Sequence, residues 1–122
     1  MEIMKSVSVK DNELYISKVK CSDLCKKYKT PLYVMDEEVI RDNCRVYKNA
    51  IDKYYNGNGK VLFASKAMSA KFIYKIVSEC GLGADVVSGG ELYTAKQAGM
   101  DMNDICFHGN NKTNDELEMA ID

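Results

Sequence analysis

Lys66, Asp85 and His108 are the residues whose types and positions could do chemistry together. Each belongs to a short apolar run: "VLFASK" ends on Lys66, "GADVVS" contains Asp85, and "ICFH" ends on His108, the only histidine. An amine held in a low-dielectric pocket has a lowered pKa, so more of it is neutral and able to attack an aldehyde. Pyridoxal phosphate is held through such a lysine imine and then acts as the electron sink for a carbanion. An aspartate nearby could orient or protonate the amine. An imidazole could pack beside the ring or hydrogen-bond to a substituent. Each residue also has a plain structural reading. Lys66 is one of fifteen lysines and could snorkel from a strand end. Asp85 could cap a turn, and His108 could be a satisfied structural residue. The residues alone leave both readings open.

The elements that must position them set a rhythm from Lys60 onward. Apolar strands begin near Val61, Ala84 and Ile105, and a helical pattern follows each. In the first helix Phe72, Ile73, Ile76, Val77 and Cys80 form the expected core stripe, and Gly81 stops it. The second opens with "SGGE", in which Ser88 and Glu91 make a capping box. The third opens with "TNDE", where Thr113 and Glu116 repeat it. Three βα units in succession predict a parallel sheet, and their short repeat favours a (β/α)8 barrel over a doubly wound sheet. Barrel chemistry collects at the carboxyl ends of the strands. Alternation along the first strand places Leu62, Ala64 and Lys66 on one face, leading the amine into the barrel mouth. A barrel takes eight units and about 250 residues, so the 122 residues read as an N-terminal fragment. Such a fragment, alone, is expected to be unstable and inactive.

Residues 1–35 read as a separate lead-in that contributes to a β-domain, and residues 36–122 as the start of the barrel. "ELYISKV" alternates as a strand, "SDLCKKYK" follows as a short helix capped by Ser22, and "PLYVMD" is predicted as a second strand. Asp36 then caps a long helix with an apolar stripe of Ile40, Cys44, Tyr47, Ile51 and Tyr54, ended by "NGNG".

Composition narrows the function classes. A formal net charge of -1 supplies no basic patch for nucleic acid. No apolar run approaches the roughly 18 residues of a membrane span, and the start is too polar for a signal peptide. Five cysteines with no C-x-x-C pair, beside one histidine, argue against zinc and predict reduced, buried thiols in a cytoplasmic protein. "GLGADVVSGG" lacks the third glycine of a G-x-G-x-x-G dinucleotide site.

In combination, "TPLYVMDEEVIRDN", "VLFASKAMS", "GLGADVVSGGELYTAKQAG" and "ICFHGNNKT" resemble the N-terminal part of the diaminopimelate decarboxylase family. That family belongs to the alanine racemase-like class of pyridoxal phosphate enzymes. The Y/F-A-x-K-A element is shared across the class, whereas "DVVSGGEL" followed by "HGNNK" points to the diaminopimelate branch. The resemblance implies that Lys66 forms the imine with pyridoxal phosphate and that Ala64 is a small wall residue beside it. It further implies that Asp85 is the acidic residue near the lysine and that His108 lines the pocket below the ring. Here "FASKA" stands where many relatives have Y-A-V-K-A, and Ser65 is expected to face away from the pocket. The implied reaction is decarboxylation of meso-2,6-diaminopimelate to L-lysine by a homodimer acting on a small amino-acid substrate. The implied "ELYISKV" strand joins a C-terminal β-domain. Another decarboxylase or racemase of the class, of ornithine or arginine type, or a non-catalytic pyridoxal phosphate-binding barrel would share Lys66.

Overall fold

The structure is a computed structural model that describes residues 6–121. The chain divides into two compact units, Met1–Ile40 and Arg41–Asp122.

In the first unit, β1 (Val7–Lys10), β2 (Glu13–Ile16) and β3 (Val19–Lys20) form an antiparallel sheet in the order β1-β2-β3. The β1–β2 hairpin turns through Asp11 and Asn12, both at positive φ, the conformation a two-residue hairpin loop demands and Asp and Asn tolerate. The continuous strand expected over "ELYISKV" breaks at Ser17, whose φ is 54°. Helix α1 (Cys21–Tyr28) starts straight from β3, so Lys20 and not Ser22 is its N-cap. Ser22 is already inside the first turn, and its hydroxyl donates instead to Glu13 Oε2 at 3.2 Å. The strand predicted over "PLYVMD" does not form. A strand needs a neighbour to bond to, and these residues have no ladder partner among the described residues; Tyr33 is 97% exposed. Asp36 does cap α2 (Glu37–Tyr55), its Oδ1 accepting from the Glu38 and Val39 amides at 3.0 and 3.4 Å.

The second unit holds a parallel sheet of β4 (Leu62–Ala64), β5 (Gly83–Val86) and β6 (Ile105–Phe107), in that order. Helices α3 (Lys71–Glu79), α4 (Gly89–Gln97) and α5 (Asn114–Ile121) follow the three strands in turn. The strands therefore rise where the apolar runs predict them. Register fixes which residues share a face. Phe63, Ala84 and Ile105 pair across one row, and Ala64, Asp85 and Cys106 across the next. The core lies on the helix side: Ala84 and Val86 of β5 are fully buried, with Ile73, Tyr74, Ile76 and Val77 of α3 and Leu92 and Ala95 of α4.

Two helical stripes differ from expectation. In α3 the core residue beside Ile73 is Tyr74, fully buried and bonded through its hydroxyl to Ser69 Oγ at 3.1 Å, while Phe72 is exposed. The hydroxyl partner is what lets a tyrosine bury completely. In α2, Cys44 is buried but Tyr47 and Tyr54 are exposed, so the inward face is narrower than the apolar pattern. Nor are the cysteines uniformly buried: all five are free thiols, and Cys25 and Cys106 are exposed.

Candidate active site

Strand β4 ends at Ala64, and Lys66 stands in a 3-10 turn, Ser65–Ala67, closed by the Met68 amide donating to the Ser65 carbonyl at 3.0 Å. The alternation expected to carry Leu62 and Ala64 on to Lys66 is therefore interrupted by the turn. Its side chain is exposed and has no ion-pair partner among the described residues. Ser65 takes the opposite direction. It is fully buried, and its hydroxyl has no hydrogen-bond partner among the described residues.

Asp85 lies one residue from the carboxyl end of β5. Its row partners are Ala64 on one side and Cys106 on the other, so it flanks the smallest side chain of β4. Its Oδ1 is buried and meets no hydrogen-bond partner among the described residues. A buried, unsatisfied carboxylate oxygen is expensive unless something else engages it. Below it in the same strand, Gly83 pairs with Leu62. His108 follows β6 immediately. Its amide donates to the Val86 carbonyl at 2.9 Å, extending the ladder by one bond, and its imidazole is exposed. Ala64 and Asp85 are thus direct neighbours. Lys66 lies two residues past Ala64, and His108 two past Cys106, at the carboxyl edge of the same parallel sheet.

Three contributors at this edge escape sequence reasoning. Cys106 shares the Asp85 row, which only the register shows. Lys112 closes the loop after His108, donating to the His108 carbonyl at 2.6 Å with its ammonium 3.7 Å from the Phe107 ring centre. Glu116 does more than its capping box requires. Its Oε2 accepts from the Thr113 amide at 3.0 Å, while Oε1 accepts from the Gly89 amide, the first residue of α4, at 2.9 Å. Ser88 caps the same helix through the Glu91 amide at 3.3 Å.

The amide bonds from Gly89 and then Thr113 hold the Glu116 carboxyl below its ordinary value of 4.5. Folding therefore favours the charged form, and the unfolded chain binds more protons as pH falls. The stabilisation is present above pH 4.5 and is lost as pH drops through the depressed value. In the full-length protein, Glu116→Gln is expected to flatten this acid limb. Urea midpoints measured across that window check it; an unchanged slope means that Glu116 does not tie the two helices.

The family model for the pyridoxal-dependent decarboxylase pyridoxal-binding domain matches residues 37–122. A diaminopimelate decarboxylase of Bacillus methanolicus is 48% identical over 109 residues, which cover 89% of this chain and 25% of that protein. The diaminopimelate decarboxylase of Methanocaldococcus jannaschii is 40% identical over 120 residues, 96% of this chain and 27% of its own. A crystal structure of the M. jannaschii enzyme in complex with L-lysine superposes with a TM-score of 0.89 at 40% identity, over 96% of this chain and 28% of that one. The chain spans about a quarter of the length of these relatives. Its three βα units are the opening part of a (β/α)8 barrel, and pyridoxal phosphate is the cofactor implied. The chain belongs to the pyridoxal-dependent decarboxylases, through their pyridoxal-binding domain.

Proposed function

We propose that this sequence serves the pyridoxal phosphate-dependent decarboxylation of meso-2,6-diaminopimelate to L-lysine and carbon dioxide, with Lys66 carrying the cofactor. The observation that carries the reading is the match to the lysine-bound M. jannaschii enzyme, at 40% identity over nearly all of this chain.

The residues at the carboxyl edge fit the cofactor. Lys66 offers an amine committed to no ion pair among the described residues. Ala64 leaves space beside Asp85, and the Asp85 Oδ1 has no partner among the described residues to compete for it. Pyridoxal phosphate, when bound, supplies the electron sink that stabilises the carbanion left by a departing carboxylate. Lys66 holds the group covalently through Nζ and exchanges a proton there. Asp85 orients that amine, Ala64 is the small wall residue, and His108 lines the pocket below the ring. Residues 1–35 contribute the strand that joins a β-domain, residues 36–122 begin the barrel, and the working form is a cytoplasmic homodimer.

The test uses the full-length protein with pyridoxal phosphate. Release of lysine and carbon dioxide is measured with meso-diaminopimelate, L-ornithine and L-arginine offered separately. Borohydride reduction followed by peptide mapping is expected to place the pyridoxyl label on Lys66. Preferred turnover of ornithine or arginine moves the assignment to another branch of the class. A label on a different lysine overturns the site.

A further inference from the structure

Two thiols remote in sequence are placed side by side in the second unit, away from the carboxyl ends of the strands. Arg41, Cys44 and Lys48 lie three and four residues apart on α2 and so form one stripe along it. Both ends of that stripe are located against the C-terminus of α3. Arg41 Nη2 pairs with Glu79 Oε2 at 2.6 Å, and Nη1 donates to Cys80 Sγ at 3.9 Å. One turn beyond Cys44, Lys48 Cε lies 3.8 Å from where a Cβ on Gly81 would stand. Cys44, between the two on that stripe, is thereby placed beside Cys80, whose proximity helps to raise the Cys44 thiol. Cys44 is 7% exposed, whereas Cys80 is only half-buried. A core needs small apolar side chains here; it does not need two neighbouring thiols with a guanidinium at one of them.

We propose that Cys44 and Cys80 are a dithiol oxidation site, which a hydroperoxide converts to a disulfide joining α2 to the end of α3. The chemistry starts at Cys80, the thiol with solvent access and the guanidinium contact. Its sulfur attacks one peroxide oxygen; the O–O bond breaks, an S–O bond forms, and the other oxygen takes up the thiol proton and leaves as water, or as an alcohol from an organic peroxide. Cys44 is buried away from a peroxide in solvent, and burial, then the neighbouring Cys80, push its thiol up, so it resolves the reaction instead of starting it. The Cys44 sulfur displaces hydroxide from Cys80, and its proton departs with that hydroxide as water. Two thiols and one peroxide yield one disulfide. The two sulfurs lose the two electrons that the peroxide gains.

The experiment treats the folded full-length protein with one equivalent of hydrogen peroxide, blocks remaining thiols with N-ethylmaleimide, and maps tryptic peptides without reduction. The expected product is a Cys44–Cys80 linked pair, two hydrogens lighter than the separate thiols, which dithiothreitol reopens. In Cys44→Ser, Cys80 is expected to stop at a sulfenic acid that dimedone labels. In Cys80→Ser, Cys44 should stay reduced and become alkylated once urea is added. Cys44 recovered reduced from oxidised wild-type protein overturns the proposal, as does linkage to Cys25 or Cys106 in its place. So does a Cys44–Cys80 link that appears only when peroxide is added in urea. Mapping of the wild-type protein decides the matter alone if either variant fails to fold.

Discussion

Lys66→Ala is expected to lower lysine release by the full-length protein by at least about 10³-fold, the scale on which a positioned acid–base group acts. The loss should come without a loss of fold, because Lys66 is exposed and forms no ion pair among the described residues. Lys66→Arg separates chemistry from charge. It keeps a cation at the same turn, but a guanidinium remains protonated at any working pH and cannot become a neutral nucleophile. Both variants should be inactive, with urea midpoints close to wild type. Retention of more than about a tenth of the activity by Lys66→Arg, far above a loss of that scale, returns Lys66 to the role of a solvated charge at a strand end.

The largest effect on stability is expected at Gly83. A Cβ there would stand 2.3 Å from the Asp104 carbonyl oxygen and 2.6 Å from Leu62 Cδ2. Leu62 can rotate, but the carbonyl belongs to backbone entering β6, so β5 and β6 must part to admit a methyl group. Overpacking of this kind typically costs about 1–3 kcal/mol, and the backbone contact puts Gly83→Ala at about 3 kcal/mol or more. Gly90→Ala is the matched control, since its nearest neighbour would be Ser88 Oγ at 4.0 Å. The urea midpoint of the full-length protein should fall steeply for the first and stay within error for the second. Equal midpoints would show that the strands part freely.

What could be read in advance was local. The three strands, the Asp36 and Ser88 caps and the capping box at Thr113 depend on residues a few positions apart; at Ser88 the return bond from Glu91 goes to the Val87 amide instead. The carboxyl-edge placement of Lys66, Asp85 and His108 followed from those elements. What failed depended on partners remote in sequence. "PLYVMD" has strand composition but no ladder among the described residues, and Ser22 lost its cap to a helix that begins directly from β3. Tyr74 could bury only because Ser69 meets its hydroxyl. The turn at Ser65–Ala67 replaced an extended alternation because apolar patterning does not mark where a short strand ends. Neither the second bond of Glu116 nor the placement of Cys44 beside Cys80 has any signature in spacing.

The double engagement of Glu116 bears on the order in which the chain acquires its shape. The start of α4, immediately after the strand that carries Asp85, is completed by a side chain 27 residues further along. Ribosomes add roughly 5–20 residues per second, so that helix start waits on the order of seconds for its carboxylate to emerge. Once α5 forms, fraying at its first turn and loosening at the head of α4 become a single cooperative event. The edge beside Asp85 is then set by the unit that comes after it, and consecutive βα units mature as overlapping pairs.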